Sequence, residues 1–362
     1  MQKKEQDSFK YTNVDSANNL WLGKPTDSIE LSSSLLDELP WKLTSDFELL
    51  EILKKIEPVS APLNLFAEIF NGIQTSAERP QPIYWFSGDE IINENEDTIT
   101  VKKEDKVYSI EKKILKPYFK PTKKAEKGLT TYNILSTDKK IIFPYDGEGH
   151  LIPIDTMKSD YPGAYAYLLD YYDRLVPKCV SDEGIRDVPN ATADTWYQYG
   201  RTQALTAFID TPKLIVKVMA KDNPMYAMDK ADMLIASGGT AGYCAVAQKS
   251  GSPYELEYIQ AWLANSYTEK IFNIVGSDFE GRFISRGTFV LSSLPFVNLD
   301  FDDPKQKTLY DRVVEATREV YTINDKLDRK PSKQVETTLT RKKTTLIKEI
   351  DELISRVYIL EF

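Results

Sequence analysis

Two short segments of the sequence hold residue types that can act on a nucleic-acid base or a cofactor. Residues 222–226 read Asp-Asn-Pro-Met-Tyr. In such a segment an amide oxygen and a backbone carbonyl can accept the hydrogens of an amino group while the aromatic ring stacks on the base. Residues 237–242 read Ser-Gly-Gly-Thr-Ala-Gly after an apolar stretch. A glycine-rich turn after a strand can cradle a phosphate or S-adenosylmethionine.

The spacing of these segments argues against their use in one active site. The first is similar to the base-holding loop of amino-methyltransferases, but Met225 stands where that loop has a second proline. Such loops follow different strands, each with its own crossover of at least about ten residues. Only eleven residues separate Tyr226 from Gly238. Turns and close backbone packing are the better interpretation, and a divergent S-adenosylmethionine-dependent adenine-N6 methyltransferase stays as the alternative.

Other residues that serve as nucleophiles, bases or metal ligands lack partners in the sequence. His150 is the single histidine and follows Gly-Glu-Gly without a motif-linked serine or cysteine. Glu255 and Glu257 lack the trailing lysine and the upstream aspartate of a metal-dependent nuclease, so they fit the start of a surface helix. We therefore predict no catalytic residue and no metal site in this chain.

A third segment combines aromatic rings with arginine and glutamine. Residues 196–203 read Trp-Tyr-Gln-Tyr-Gly-Arg-Thr-Gln, and Pro212-Lys213 follows. Aromatic rings beside an arginine can stack on bases while the guanidinium grips a phosphate. The same residues can equally form the edge of a core from which the arginine reaches solvent.

The charge of the chain is unevenly distributed, although its formal net value is −9. Residues 1–100 hold 8 Lys and Arg against 18 Asp and Glu, whereas residues 101–362 carry a net charge of +1. Two stretches, 102–127 and 326–348, each carry a net charge of +6. A lysine-rich run is often only a solvated face. Because of these two stretches, however, the acidic net charge does not exclude a nucleic-acid partner.

The elements that must position these residues follow from the apolar pattern. Strands are predicted at 83–86, 98–101, 106–110, 141–143, 213–219 and 233–236. Helices are predicted at 45–56, with Ser45 as N-cap and Glu48 completing a capping box, at 161–175 and at 256–266. Tyr165, Leu168, Leu169 and Tyr172 should line the core face of the second helix. Strands and helices do not alternate regularly, so the pattern favours an α+β fold over a doubly wound sheet.

The C-terminal region has a heptad seam. Apolar residues from Leu309 to Leu327 step by 4, 3, 4, 3 and 4 positions. Pro331 interrupts the seam, which resumes from Val335 to Leu360 with Lys342 in one core-type position. Two helices joined near Pro331 predict a helical hairpin or a coiled-coil-like tail. This tail packs either on the globular part or on a partner.

The order of several short motifs resembles the C-terminal target-recognition region of type IIG restriction–modification enzymes, relatives of type I specificity subunits. The likeness covers about residues 40–362. The motifs are Gly72-Ile73-Gln74-Thr75-Ser76, Leu115-Lys116-Pro117, Ile142-Phe143-Pro144-Tyr145, Tyr161-Pro162 with Tyr167-Leu168, Trp196-Tyr197 with Gly200-Arg201, Pro212-Lys213, Leu263-Ala264-Asn265-Ser266, Leu294-Pro295 and Ile350-Asp351-Glu352-Leu353.

This resemblance implies a mixed α/β target-recognition domain that reads a short site in double-stranded DNA for a separate adenine-N6 methyltransferase domain. The chain shows no such catalytic domain, so we expect it to be non-catalytic by itself and to bind no cofactor. S-adenosylmethionine would bind only to a separate catalytic domain or partner. The implied organisation is an acidic arm and linker helix at 1–57, the recognition domain at 58–300 and a helical tail at 301–362. Such a module would serve restriction–modification or a related phage-defence system.

The resemblance and the residue chemistry together give candidate DNA contacts. Gln74, Thr75 and Gln203 are expected to read base edges. Trp196 and Tyr197 are expected to stack on bases. The expected phosphate contacts are Lys116, Lys120, Lys123, Lys124, Arg201, Lys213, Arg282 and Arg286.

Length and composition set the remaining expectations. The chain has 362 residues, of which 41% are hydrophobic and 28% charged, as in a folded globular protein. It has two cysteines, no apolar run long enough for a membrane span and no apolar N-terminal leader, which favours a cytoplasmic protein. Expected partners are double-stranded DNA and a methyltransferase or restriction subunit, with self-association through 305–360 possible. A protein-interaction scaffold using the tail is the third hypothesis.

Overall fold

The computed structural model describes residues 7–12, 21–23, 28–33, 44, 46–121, 131–201, 205–208, 211–221, 224–230, 232–237, 242–276, 278–279 and 283–362. The chain forms two compact units: unit 1 comprises Met1–Leu65 and Glu257–Phe362, and unit 2 comprises Phe66–Leu256. The sequence analysis placed segment boundaries at 57 and 300, whereas the compact units divide the chain at 65 and 256. Residues 257–300 thus group with the helical tail.

The helices and strands are short except at the C-terminus. The helices are α1 (Phe47–Ile56), α2 (Ile154–Asp160), α3 (Pro162–Asp170), α4 (Tyr172–Leu175), α5 (Leu256–Leu263), α6 (Ser266–Val275), α7 (Thr288–Ser293), α8 (Pro304–Asp328) and α9 (Lys333–Ile359). The strands are β1 (Ser8–Thr12), β2 (Ser28–Ser32), β3 (Ser60–Pro62), β4 (Ala67–Asn71), β5 (Trp85–Phe86), β6 (Ile91–Glu94), β7 (Thr98–Lys103), β8 (Lys106–Glu111), β9 (Leu115–Phe119), β10 (Lys140–Ile142), β11 (Lys213–Lys217), β12 (Met219–Ala220), β13 (Tyr226–Asp229), β14 (Leu234–Ile235), β15 (Tyr243–Gln248), β16 (Asp278–Phe279), β17 (Phe283–Ser285) and β18 (Pro295–Val297). This irregular mixture confirms the α+β prediction.

Unit 2 is built on three small sheets. One has the order β14-β9-β10-β5, the second β13-β11-β15-β4 and the third β6-β7-β8. Every pairing in them is antiparallel except β14 with β9. The central strands β11 and β15 are buried over nearly their whole length, which explains their continuous apolar runs.

Tyrosine rings hold the core of unit 2 together. Tyr84 and Tyr199 meet edge to face with ring centroids 5.1 Å apart, and Tyr167 contacts Phe86 in the same way. Each buried hydroxyl finds a backbone acceptor: Tyr84 donates to the carbonyl of Tyr197 and Tyr167 to that of Ile83. Buried phenols require such partners, so this core fixes the path of the loops around it.

Unit 1 joins two of the motifs that carry the family resemblance. Asn265 caps α6 by accepting from the amide of Tyr267, and its own amide donates to Asp351 of α9 at 2.7 Å. The Asp351 carboxylate also accepts from the backbone amide of Ser266 at 3.1 Å. Around them, Trp262 packs against Phe296. The motif at 263–266 and the motif at 350–353 are therefore joined by hydrogen bonds within unit 1.

The C-terminal residues form the predicted helical hairpin. Arg312 of α8 makes two hydrogen bonds to the carboxylate of Glu349 in α9, at 2.6 and 2.8 Å. Val313, Val320 and Ile350 of the seam are no more than 1% exposed. The seam is thus covered within unit 1 along most of its length, but Val335, at the start of its second part, is 46% exposed.

Three local predictions are wrong in detail. The cap of α1 is Asp46, whose carboxylate accepts from the amide of Leu49 at 3.0 Å, whereas the predicted cap Ser45 lies outside the described residues. The sequence places Lys342 in a core-type position of the seam, but this lysine is exposed and pairs with Glu319 of α8. The following residue, Lys343, is half-buried instead.

The predicted helix at 161–175 is interrupted. It divides into α3 and α4 at Tyr171, whose backbone leaves the helical region (φ −108°, ψ 18°). Its fully buried residues are Ala164, Tyr167 and Leu168. Of the other predicted core residues, Tyr165 and Tyr172 are half-buried against the core and Leu169 is exposed. Tyrosines occupy several faces of this segment, so the apolar period alone did not identify the face that the core covers.

Candidate nucleic-acid interface

The reading loop, defined here as residues 72–78, leads from β4 into a turn of unit 2. Gly72 packs so closely that a Cβ atom there would lie 2.4 Å from the carbonyl oxygen of Ile235, which only glycine permits. Thr75 is 3% exposed, and its hydroxyl donates to Glu78 at 3.1 Å. The Gln74 side chain is half-buried and makes no hydrogen bond within the described part of the chain. Of the two predicted base-reading residues here, Thr75 already uses its hydroxyl within the loop, whereas the side-chain amide of Gln74 has no such hydrogen bond in the described residues.

The segment 196–201 lies directly beside the reading loop. The backbone amide of Arg201 donates to the carbonyl of Gln74 at 3.2 Å, and that of Gly200 donates to the carbonyl of Thr75 at 3.2 Å. A Cβ atom on Gly200 would lie 1.8 Å from the hydroxyl of Ser76, so glycine is required at this contact. The structure therefore brings together two motifs that are more than 120 residues apart in the sequence.

The buried Arg186 forms hydrogen bonds to both the reading loop and the segment 196–201. Arg186 is 3% exposed and pairs with no carboxylate in the described residues. Its guanidinium instead donates to oxygen acceptors, mostly backbone carbonyls. These acceptors are Thr75 O at 2.8 Å, Gln198 O at 2.7 Å, Leu175 O at 2.8 Å, Trp196 O at 3.2 Å and Tyr84 Oη at 3.4 Å. The sequence analysis missed Arg186, which has no local motif that would mark it.

The Trp85 cluster, defined as Glu78, Trp85, Lys103, Lys120 and Lys139, adjoins the loop. The three ammonium groups lie 5.2–6.0 Å from the centre of the indole ring. Glu78 accepts from the indole nitrogen at 3.1 Å and pairs with Lys120. Burial lowers the pKa of Lys139, while the Asp138 carboxylate opposes this shift and the charge of Lys120 adds to it. Lys103 is 3% exposed and pairs with Glu90, so Lys120 and Lys139 are the cations of this cluster that an anion can approach. Glu78, Trp85 and Lys139 were not predicted.

The predicted cations fall into two groups. Lys116 pairs with Asp232 at 3.2 Å, and Arg201 pairs with Asp187 at 2.9 Å while keeping 41% of its side chain exposed. These residues and Lys120 remain partly accessible. A surface ion pair is weak enough for a phosphate to compete with it.

Two other predicted phosphate contacts are buried. Lys213 pairs with Asp229 at 2.9 Å, and both side chains are 0% exposed. Arg286 is 0% exposed and pairs with Glu269 of α6. Burial keeps the pKa of Glu269 above its ordinary value, although the guanidinium opposes this shift. Neither cation reaches the surface, so neither is placed to contact a phosphate.

The two predicted stacking residues are also covered. Trp196 is 2% and Tyr197 1% exposed, and the Tyr197 hydroxyl donates to the carbonyl of Ile152. Their rings therefore form the edge of the core, the alternative that the sequence left open. Lys123, Lys124, Gln203 and Arg282 lie outside the described residues, as do residues 222–223 and 238–241.

Other kinds of site find little support in the described residues. No group of three or more His, Cys, Asp or Glu is placed to hold a metal ion there. His150 is largely exposed, 3.4 Å from Asp146. In the same residues no helix is both long and apolar enough to cross a membrane.

Comparison with known proteins gives one informative match. No family model matches the chain. It is 32% identical over 324 residues to the type II restriction enzyme and methyltransferase RM.Eco57I of Escherichia coli. The match covers 86% of this chain but 31% of the relative, so the chain spans less than a third of the length of that protein. The chain is therefore related to a restriction–modification enzyme.

Proposed function

We propose that this chain is the DNA-recognition region of a restriction–modification enzyme and reads a short duplex site through the reading loop and Arg201. Relatedness to such an enzyme over 86% of the chain supports this role. The chain matches only part of that relative, so the methyltransferase and restriction chemistry belong, in this proposal, to a separate catalytic domain or partner. That part would bind S-adenosylmethionine.

The observation that carries the proposal is the pairing of Gln74 with Arg201. An amide can make two hydrogen bonds to an adenine edge in the major groove. A guanidinium on the adjacent backbone can fix the register by binding a phosphate. The buried charge of Arg186 beneath them and the cations of the Trp85 cluster add attraction for a polyanion.

Two alternatives receive less support. In the methyltransferase reading, Tyr226 would have to stack on a base and Pro224 would have to offer its carbonyl. Tyr226 is 0% exposed at the start of β13, and the Pro224 carbonyl accepts from Thr131 at 3.0 Å. In the scaffold reading, a partner would bind the tail seam, most of which unit 1 already buries.

The test is selection of duplexes from a random-sequence library by the full chain, followed by sequencing. We expect one enriched short site. Gln74→Ala should relax the preference at one A·T position by about 1–3 kcal/mol, whereas Arg201→Gln should weaken binding to all sequences alike. Lys178→Gln removes an exposed charge of the same unit and is the matched control.

Failure to enrich any sequence, or an unchanged preference in Gln74→Ala, would contradict the proposal. Calorimetry with S-adenosylmethionine separates it from the methyltransferase alternative. Stoichiometric binding of that cofactor by this chain would favour the alternative.

A further inference from the structure

The long helix α9 has two opposite faces of very different character. Its buried residues, such as Leu346, Ile350 and Val357, lie on one side and form the seam with α8. The opposite side is what we call the outer face. It consists of residues spaced by 4, 4, 3 and 4 positions, which follow one helical stripe: Lys333, Thr337, Arg341, Thr344 and Lys348, all exposed.

Packing does not account for the composition of this part of the helix. Within residues 333–345 every side chain is exposed except those of Leu339 and Lys343, which are half-buried. The stretch contains five threonines, a residue type of low helix propensity. A stretch with little burial, weak helix propensity and a positive net charge gains stability when an anionic partner covers it.

The charge of the hairpin tip is largely uncompensated. Residues 326–348 carry eight Lys and Arg against two acids. Within the described residues, five of these cations make no ion pair with a carboxylate at 4.0 Å or less: Lys326, Lys330, Lys333, Arg341 and Lys343. Lys348 is 79% exposed and has Glu352 only at 3.6 Å.

We propose that the outer face of α9 binds the phosphate backbone of duplex DNA without reading its sequence. The stripe spans sixteen residues from Lys333 to Lys348, or about 22 Å of helix, against about 34 Å for one turn of duplex. It therefore reaches several phosphates. A protein partner would need an apolar anchor at the centre of its interface, and the outer face offers only Lys, Arg and Thr. Phosphates need none.

This contact lies in unit 1 and goes beyond the proposed reading of sequence by unit 2. The test measures binding of the full chain to one random-sequence duplex at several salt concentrations. The variant is K333Q/R341Q/K348Q. The control, K54Q/K158Q/K178Q, removes three exposed lysines elsewhere and so loses the same charge. At about 0.9 per phosphate contact, we expect the slope of log K against log salt to become shallower by roughly 2.7 in the variant. The control slope should stay within about 0.5 of wild type.

Equal slopes for variant and control would overturn the proposal, and so would no binding of the random duplex by wild-type chain at low salt. Neither result decides whether unit 2 reads a target, because that role is scored by sequence enrichment and by Gln74→Ala. Competition with poly-glutamate at equal charge is the second arm. If it displaces the chain as well as duplex DNA does, the outer face is an acidic-protein site and the DNA proposal fails.

Discussion

Replacing Arg186 by methionine should disconnect the reading loop from the segment 196–201. Methionine keeps an unbranched apolar side chain in the same volume but removes every donor. The guanidinium is the hydrogen-bond donor shared by the carbonyls of Thr75 and Gln198, at 2.8 and 2.7 Å. Without it, these two segments retain only their direct backbone contacts.

The magnitude follows from the number of acceptors that lose their donor. Thr75 O still accepts from the amide of Gly200, but Leu175 O and Gln198 O lose the bonds at 2.8 and 2.7 Å. A buried group left unsatisfied costs about 1–3 kcal/mol, and breaking a buried charged network costs about 3–5 kcal/mol in total. We expect Arg186→Met to lower the free energy of unfolding of unit 2 by about 3–5 kcal/mol.

Urea unfolding and hydrogen exchange measured by mass spectrometry test this prediction. Peptides covering 73–78 and 196–201 should lose protection first, and DNA binding should weaken with them. Arg186→Lys keeps the charge but not the planar fork, so it should lose less stability while still loosening both peptides. A loss below about 1 kcal/mol in the methionine variant, with both peptides still protected, would refute this role for Arg186.

Three further changes have defined outcomes. Gly200→Ala should cost about 2–4 kcal/mol in urea unfolding and displace the reading loop, because its Cβ would overlap Ser76, and adding Ser76→Gly should recover much of the loss. Lys343→Met should raise the unfolding free energy by about 0.5–1.5 kcal/mol, since burial lowers the pKa of this lysine and so disfavours its charge; a decrease would contradict it. Asp46→Ala should cost about 1 kcal/mol at neutral pH. The amide of Leu49 holds the pKa of Asp46 below its ordinary value of 3.8, so this contribution is complete above that pH and should fade as the pH drops below it.

Local pattern predicted much of the fold and the neighbourhood of the site. The heptad steps predicted α8 and α9, and the Pro331 interruption predicted their junction, because both signals are contained within a few turns of chain. The loop containing Gln74 and the segment containing Arg201 were both predicted as DNA contacts from their residue types. Their adjacency came only from the fold.

The local sequence pattern could not predict which charged residues the fold buries. Lys213 looked like a phosphate contact because its counter-ion, Asp229, follows sixteen residues later in another strand. Arg186 had no visible role because its acceptors come from four separate parts of the chain. A side chain's residue type gives its charge, but only the tertiary structure decides whether water, a carboxylate or a carbonyl surrounds it.

The acidic net charge of the chain does not oppose a DNA partner. At physiological salt a charge is largely screened beyond about 8 Å, so a phosphate responds to the groups beside it and not to the sum of −9. Beside the reading loop those groups include Arg186, which no carboxylate pairs with in the described residues, and Lys139, whose pKa is lowered by burial and by Lys120. On α9 they include Lys333 and Arg341. Beside the reading loop, however, Glu78 pairs with Lys120 and Glu90 pairs with Lys103. In the proposed complex a phosphate would therefore compete with carboxylates beside the reading loop but not at Lys333 and Arg341, which lack the local counter-ion that neutralises Lys213.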